Sequence, residues 1–561
     1  MKTQSVRTPR FIALFALGCL ALSPMLKAVN PPPDGGYPGG NTAEGQSALL
    51  SLTTGTYNTA VGLYSLLSLT DGNFNTAIGA ATLLVNTGDE NTATGAGALL
   101  LNTTAVGNTA NGAFALFNNT GGPSNTAIGD RALFTNTIGV SNTAVGAFAL
   151  FSNSADAKAG GDRNTATGAE ALFSNTTGRE NTANGALALH DNTTGSHNIA
   201  IGVGALAANT TADDNTAAGW AALGSNTSGD ENTAVGSLAL SSNATGLSNT
   251  ATGAFALAAN TTGVNNTANG NQALSANIDG DNNTATGHQA LENNTVGLQN
   301  TAVGHQGLLA NTTGSGNTAI GFRTLASNTD GLGNTAIGFA ALENNTGGDN
   351  TANGNNALRN NTAGNSNIAL GISAGSAVTN ASHVIAIGSD GANISNSCYI
   401  GQIYSNIQPQ VGTDPDLVTI NSNGRLGRAN VSSRRYKHDI KPMHSASEAI
   451  YALKPVTFRY HKQYDASQTV AFGLIAEEVA EVAPDLVGRN EKGEPESVRY
   501  EQVNAMLLNE FLKEHAKGEE QDRKIQQQEA IITQLKEDVD ALVARLKEHD
   551  SKIQRVTDQL D

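Results

Sequence analysis

The sequence predicts a mainly β fold, in which a β-solenoid is followed by a small α+β domain and a C-terminal coiled coil. Three observations support this prediction. A seventeen-residue unit recurs about twenty times between residues 41 and 404. Charged residues are sparse before residue 431 and dense after it, with 36 in the first 430 residues and 43 in the last 131. Apolar residues at heptad spacing fill the last part of the chain.

The composition of the 561-residue chain excludes several classes of protein. With 39% hydrophobic and 14% charged residues, the chain has the apolar content that folding requires. A net charge of −17 without basic clusters argues against a nucleic-acid partner. The two cysteines, Cys19 and Cys398, exclude a disulfide framework and a cysteine-rich zinc site. We expect neither a cofactor nor a metal.

The N-terminal residues 1–28 are typical of a secretory signal peptide. A basic stretch precedes the apolar run 11–22, and cleavage is expected near Ala28. The run is short for a transmembrane helix, which needs about 20 apolar residues, so a retained anchor and a lipidated Cys19 are the weaker alternatives. We therefore expect a secreted protein, extracellular or on the cell surface, without a membrane anchor after signal removal. Residues 29–40 form a Pro- and Gly-rich leader.

The repeated unit reads N-T-A-x-G-x-x-A-L-x-x-N-T-x-G-x-x, numbered here as positions 1 to 17. Sixteen of its nineteen intervals are 17 residues long, two are 16 and one is 22. This period is too short for a helical hairpin and suits one coil of a solenoid. We expect two strands per coil, at Thr-Ala-x and at Ala-Leu-x-x. Glycines at positions 5 and 15 should form turns, and asparagines at positions 1 and 12 should stack into ladders.

The side chains of the unit predict a thin interior and carry no visible catalytic pattern. Position 3 is Ala and position 9 is nearly always Leu, which favours tight packing. Position 4 alternates between aliphatic residues and Thr or Asn, so we expect it to be half-exposed and to face a partner chain. Acidic pairs such as Asp230-Glu231 suggest a solvated rim, with weak calcium sites as the alternative. A carbohydrate-active enzyme would need paired carboxylates at fixed positions, and none stands out.

The unit resembles the head repeats of trimeric autotransporter adhesins, which use a comparable coil in a β-roll. The matching residues are Asn317 to Gly321, N-T-A-I-G. The repeat length differs from that family, and its members end in a membrane-anchoring β-barrel segment. This chain ends in a charged helix, so a self-anchored adhesin is disfavoured.

The C-terminal part contains motifs in a recognisable order. They are R-R-Y-K-H-D-I at 434–440, L-K-P-V-T-F-R-Y at 453–460 and F-G-L-I-A-E-E-V at 472–479. This run resembles the peptidase S74 family, the intramolecular chaperone domains at the ends of phage tail fibres and tailspikes. The resemblance implies a homotrimer, assembled by this domain at residues 432–517, which then cuts itself off. Residues 405–431 would form the linker that contains the cleavage site.

The resemblance also implies the residues of the cut. The family has a catalytic serine five residues before a catalytic lysine, and these correspond to Ser432 and Lys437. The resemblance implies that the peptide bond between Val431 and Ser432 is the one that is broken. Arg434 and Arg435 are the expected supporting cations. The chain departs from the family at the residue after the nucleophile, where Asp is common and Ser433 stands here. Ser433 is therefore the alternative nucleophile.

The chemistry of a Ser–Lys pair sets conditions on this segment. A neutral lysine activates a serine, but lysine has a pKa of about 10.4 in water and must be desolvated or placed beside cations. Residues five apart lie about 140° apart around a helix, or about 16 Å apart along a strand. The segment must bend, or Lys437 must meet a serine from another chain. A basic surface loop without chemistry is the other interpretation.

Further elements are expected around this segment. They are a strand at Leu417–Ile420, a helix from a capping box at Ser445–Glu448 to Leu453, strands at Val456–Tyr460 and Thr469–Ile475, a helix at Glu477–Val482, a hairpin turn at Glu491–Glu494 and a helix at Glu501–Lys517 ended by Gly518.

A heptad register predicts a coiled coil at residues 518–561. The trimerisation residues are expected to be Ile525, Ile532, Val539, Leu546 and Ile553 at position a, with Leu535 and Leu542 at position d. β-Branched residues at a with Leu at d favour dimers, whereas the family resemblance implies a homotrimer. The shaft is expected to bind a cell-surface or glycan receptor. The alternative function is an uncleaved structural or adhesive fibre in which the C-terminal domain is an inert trimerisation foot.

Overall fold

The computed structural model describes residues 37–153, 160–402, 418–420, 426–428, 434–462, 467–490 and 492–560. The predicted signal peptide, most of the leader and the residues of the predicted cut, Val431, Ser432 and Ser433, lie outside these ranges. The chain divides into two compact units, Met1–Ile407 and Gln408–Asp561.

The first unit is a β-solenoid, as the repeat predicts. Its 22 short strands, β1 to β22, form one sheet in which each strand pairs in parallel with the next along the chain. The strands are Thr42–Glu44, Thr59–Val61, Thr76–Ile78, Thr92–Thr94, Thr109–Asn111, Thr126–Ile128, Thr143–Val145, Thr165–Thr167, Thr182–Asn184, Ile199–Ile201, Thr216–Ala218, Thr233–Val235, Thr250–Thr252, Thr267–Asn269, Thr284–Thr286, Thr301–Val303, Thr318–Ile320, Thr335–Ile337, Thr351–Asn353, Ile368–Leu370, Val384–Ile387 and Ser397–Ile400.

The expected second strand in each coil is wrong. The Ala-Leu-x-x segment is a run of turns, in which Phe255 and Leu257 have left-handed φ angles of 59° and 51°. Successive side chains of a strand point to opposite faces, yet Ala256 and Leu257 are both fully buried. The left-handed residues let two consecutive side chains enter the core. Leu257 N still donates to the Ala273 oxygen of the next coil at 3.0 Å, so the coils remain bonded on this side.

The asparagine ladders are confirmed. Asn249, at position 1, donates its backbone N–H and its Nδ2 to Asn232 Oδ1 of the preceding coil, at 3.0 and 3.1 Å. Asn260, at position 12, donates Nδ2 to Asn243 Oδ1 at 2.8 Å. Both amides also donate to the Gly263 oxygen, at 2.8 and 3.0 Å. Because these buried amides find partners inside the coil stack, the interior tolerates two asparagines in each coil.

Glycine at position 5 is required by two independent constraints. Gly253 has a φ of +129°, and a Cβ built on it would lie 2.5 Å from the backbone oxygen of Gly270. A side chain would therefore meet both an unfavourable backbone conformation and the next coil. The coil spacing of the solenoid depends on this close approach.

The second unit contains short strands and helices around a small core. The strand pairs are Val418–Ile420 with Leu426–Arg428 (β23 and β24), Val456–Phe458 with Ala471–Gly473 (β25 and β26), and Val487–Arg489 with Pro495–Val498 (β27 and β28). The helices are the 3-10 segments Arg434–Tyr436, His444–Ala452 and Pro484–Leu486 and the α-helices Ala476–Val482 (α1) and Tyr500–Thr557 (α2). Val479, Leu486, Val487 and Met506 form the buried core. These elements agree in type and place with most of those expected, within a few residues at their ends.

The expected end of the amphipathic helix at Gly518 is wrong. Helix α2 continues through Gly518 for 58 residues. A glycine inside a helix costs about 1 kcal/mol relative to alanine, and the flanking Lys517 and Glu519 are good helix formers. No proline follows to stop the helix, so the cost of one glycine does not end it.

Candidate functional site

The basic segment of the predicted cut is only partly placed by the structure. Arg434–Tyr436 forms a 3-10 turn, and Lys437 N donates to the Arg434 oxygen at 3.3 Å. Arg434, Arg435 and Lys437 are exposed. Ser432 lies outside the described residues, so the predicted pairing of Ser432 with Lys437 stays a prediction. The turn does place a bend just before Lys437, which is one of the two ways in which residues five apart could meet.

The surroundings of Lys437 within one chain are open to solvent. His438 pairs with Asp439 through a contact of 3.0 Å, and both side chains are almost fully exposed. A lysine in such surroundings keeps its hydration, whereas a lysine that acts as a neutral base has to lose it. The described turn by itself therefore does not supply the desolvation that a Ser–Lys pair needs.

A buried polar cluster joins the 3-10 segment His444–Ala452 to α2, and sequence reasoning missed it. Ser447 is fully buried and donates its hydroxyl to Glu510, while Asn509 Nδ2 donates to Ser447 Oγ at 2.6 Å. Lys513 Nζ lies 2.6 Å from Glu510 Oε1, and Tyr451 OH donates to Glu510 Oε2 at 2.9 Å. The partners are about 60 residues apart in the chain, so no local pattern could reveal them.

The cluster also corrects the predicted capping box. The 3-10 segment begins at His444 with no side-chain cap. Glu448 instead forms an ion pair with Lys513 at 3.2 Å, and Ser447 donates its hydroxyl to Glu510. Of the two expected capping residues, Glu448 is therefore engaged by α2, and this tertiary contact replaces the local cap.

Hydrogen bonding fixes the charges in this cluster. Lys513 and Ser447 lower the pKa of Glu510 to about 2, and Glu510 in turn raises the pKa of Lys513 and of Tyr451. Lys513 therefore stays protonated, although its Nζ lies 3.5 Å from Ser447 Oγ. A protonated lysine cannot accept a proton from serine, so this second Ser–Lys contact is a structural link rather than a catalytic pair.

An open apolar groove of about 520 Å³ lies beside the first turns of α2. Leu453, Phe472, Tyr500 and Leu507 line it, and Phe472 is 81% exposed. Tyr500 and Leu507 fall on position d when the heptad register is extended towards the N-terminus. The groove therefore lies on the same face of the helix as the heptad stripe, and Glu514, Gly518 and Gln521 separate the two.

The predicted trimerisation residues all lie on α2 with their side chains in solvent. Ile525, Ile532, Leu535, Val539, Leu542, Leu546 and Ile553 are between 50% and 63% exposed. In the single chain this stripe covers nothing, and exposed apolar stripes of this length mark interaction surfaces.

The described residues contain no group of three or more His, Cys, Asp or Glu that could hold a metal ion. Among the same residues, no helix has the length and apolar character needed to cross a membrane.

Residues 432–488 match the family model of peptidase S74, described as the chaperone of endosialidase. The match covers 57 of the 561 residues, and it confirms the resemblance that the motifs of the C-terminal region predicted. Comparisons with curated proteins and with solved structures gave no match.

Proposed function

We propose that the chain is a subunit of a secreted homotrimeric fibre whose C-terminal domain assembles the trimer and then removes itself. The match of residues 432–488 to a chaperone family with self-cleaving members carries this proposal. The solenoid supplies the fibre, and the exposed heptad stripe of α2 supplies a surface on which three chains would form a coiled coil.

The proposed reaction breaks one peptide bond in each chain. Ser432 Oγ attacks the carbonyl carbon of Val431 while its proton passes to the neutral amine of Lys437. The tetrahedral intermediate collapses, the proton moves to the leaving nitrogen of Ser432, and an ester remains. Water then hydrolyses the ester, which leaves the Val431 carboxylate on the shaft and Ser432 as a new N-terminus. Arg434 and Arg435 would favour the neutral form of Lys437 through charge repulsion.

Assembly would supply the condition that the single chain lacks. Lys437 is exposed on its turn, and a neighbouring chain packed against this segment would remove water from it. Cleavage would then follow trimer formation, and a misassembled chain would keep its C-terminal domain.

Mass spectrometry of the full chain after export tests the proposal. The wild-type protein should yield a fragment that begins at Ser432, and Ser432→Ala or Lys437→Ala should abolish it. Ser433→Ala is the matched control and should cleave normally. If Ser433→Ala abolished cleavage and Ser432→Ala did not, the nucleophile would be Ser433 rather than Ser432.

The uncleaved fibre is the second candidate, favoured by Ser433 at a position where the family commonly has Asp. Intact wild-type protein at every time point, with the mass of an oligomer, would select this candidate. A receptor on a cell surface or glycan remains a proposal for the shaft in both cases.

A further inference from the structure

The outer face of the solenoid sheet carries an exposed column of residues that the core does not use. In each of the three-residue strands β1 to β20 the central Ala is buried while the residues at positions 2 and 4 point away from the core, as in Thr335–Ile337. The position-4 residues define the outer column. From β1 to β21 they are Glu44, Val61, Ile78, Thr94, Asn111, Ile128, Val145, Thr167, Asn184, Ile201, Ala218, Val235, Thr252, Asn269, Thr286, Val303, Ile320, Ile337, Asn353, Leu370 and Ile387.

The outer column is divided into apolar and polar bands. Eleven of its 21 residues are Val, Ile or Leu, and large ones are well exposed, with Ile201 at 47% and Leu370 at 49%. They occur in short groups separated by Thr and Asn, such as the group Val303, Ile320 and Ile337, which Asn353 follows. The core repeats every coil, whereas this column repeats only about every four coils.

The column favours a second copy of this chain as its partner. Its only charged residue is Glu44, so it offers little to a partner that binds through charge. Its residues are spaced by the distance between strands, about 4.8 Å, and another solenoid of the same coil length has the same spacing. Parallel and in register, two copies place every apolar band against an apolar band and every polar band against a polar one.

We propose that the outer column is an interface between copies of this chain and that its bands set their register. This inference rests on the homo-oligomer of the proposed function and is independent of cleavage. It gives the shaft a role in alignment, which a strictly uniform repeat could not have.

The order of the apolar and polar bands favours the in-register alignment of two copies over alignments shifted by one or more coils. In register, all eleven aliphatic residues face an aliphatic residue of the partner. A slip by one coil leaves five such pairs, a slip by two leaves three, a slip by three leaves four and a slip by four leaves six. Each lost pair exposes apolar surface or places it against Thr or Asn, so the in-register alignment buries the most apolar surface.

Disulfide cross-linking of the full chain tests this interface. Two variants, Asn353→Cys and Asn360→Cys, each also carry Cys19→Ala and Cys398→Ser. Each variant therefore has a single cysteine, at an exposed position of the same coil. Asn353 belongs to the outer column, and Asn360 lies in the turn segment outside the strand. We expect Asn353→Cys to form at least ten times more disulfide-linked dimer than Asn360→Cys under mild oxidation.

Two further variants test the bands and the register. Ile337→Thr with Leu370→Thr should lower the yield at Asn353→Cys several-fold, and the fold should tolerate both because Thr already occupies this position in four other coils. A mixture of chains with Asn353→Cys and chains with Leu370→Cys should give few mixed disulfides, since these residues are one coil apart.

The outcomes separate this inference from the proposed function. Equal yields at Asn353→Cys and Asn360→Cys, in a chain with the mass of an oligomer by light scattering, would overturn the interface and leave the trimeric fibre in place. Mixed disulfides as abundant as homotypic ones would overturn the register role. A monomeric mass for the full chain would contradict the homo-oligomer itself.

Discussion

The two units of the chain differ in whether their apolar residues are buried within the single chain. In the shaft, the largest fully buried side chains are leucines such as Leu66 and Leu240, and each is covered by the coils of its own chain. In the C-terminal unit, the longest helix keeps its heptad residues, such as Leu535 and Leu542, in solvent. The shaft therefore completes its core within one chain, whereas the single chain leaves the heptad stripe of α2 uncovered.

The difference follows from the period of each pattern. A coil of 17 residues returns to its starting point, so its neighbours along the chain are also its neighbours in space. A helix of 58 residues extends about 87 Å and cannot fold back on itself, so it cannot cover its own apolar stripe. Stability of the shaft should respond to changes inside a coil, and stability of the assembly to changes on α2.

The largest expected effect is dissociation of the oligomer when charged residues replace leucines of the heptad stripe. Leu535→Asp with Leu542→Asp places two charges in the seam, and we expect a monomeric mass by light scattering because buried unpaired charges are strongly unfavourable. The circular dichroism of the shaft should be retained. Ala541→Asp, on the outer side of the helix, is the control and should keep the oligomer. An unchanged mass in the double variant would place the interface elsewhere.

The second largest expected effect is a loss of shaft stability that depends on which of two glycines in one coil is replaced. Gly304 has a φ of +126°, and a Cβ there would lie 2.4 Å from the Gly321 oxygen. Gly304→Ala should destabilise the surrounding coils by at least about 2 kcal/mol. Gly307→Ala is the matched control, because its Cβ would meet Ala302 at an ordinary 3.5 Å and other coils have Ala at this position. It should be neutral or stabilising by about 0.4–1 kcal/mol.

Amide hydrogen exchange around residues 290–330 measures both variants without requiring the whole shaft to unfold. Faster exchange in Gly304→Ala and unchanged or slower exchange in Gly307→Ala is the expected result. Equal exchange in the two variants would mean that coil spacing does not depend on position 5.

The smallest effect is a pH dependence in the C-terminal unit. The pKa of Glu510 is lowered from 4.5 to about 2 by Lys513 and Ser447. A lowered pKa in the folded state means that this carboxylate stabilises the fold fully above about pH 4.5 and loses this contribution as pH falls towards 2. Urea unfolding of wild type and Glu510→Gln at pH 7 and pH 3 should show a smaller difference at pH 3. A constant difference would show that the charge of Glu510 is not the cause.

Much of the shaft could be predicted because each coil repeats the same pattern. The Asn ladders, the turn at the position-5 glycine and the aliphatic core all follow from this 17-residue unit. The expected second strand failed since the adjacent burial of Ala256 and Leu257 is incompatible with strand alternation. That conflict was present in the repeat itself, as an Ala-Leu pair at a position read as a strand.

The candidate site was harder to predict because its contacts join distant residues. The motif indicated Ser432 and Lys437, but only Lys437 lies in the described part of the chain, on an exposed turn. Ser447 and Glu510 meet across 63 residues, and no local motif joins them. The local pattern at Ser445–Glu448 favours a capping box, yet Glu448 contacts Lys513 of α2 instead.

The sequence by itself determined the solenoid, the long amphipathic helix and the resemblance of residues 432–488 to the peptidase S74 family, because periodicity and motif order are properties of neighbouring residues. Only the tertiary structure decided that each coil has one strand, that α2 runs through Gly518, and that Ser447, Glu510 and Lys513 form a polar cluster. It also decided which of the repeated residues face solvent. Burial and long-range pairing depend on the packing of the whole coil or helix, and no local pattern contains that packing.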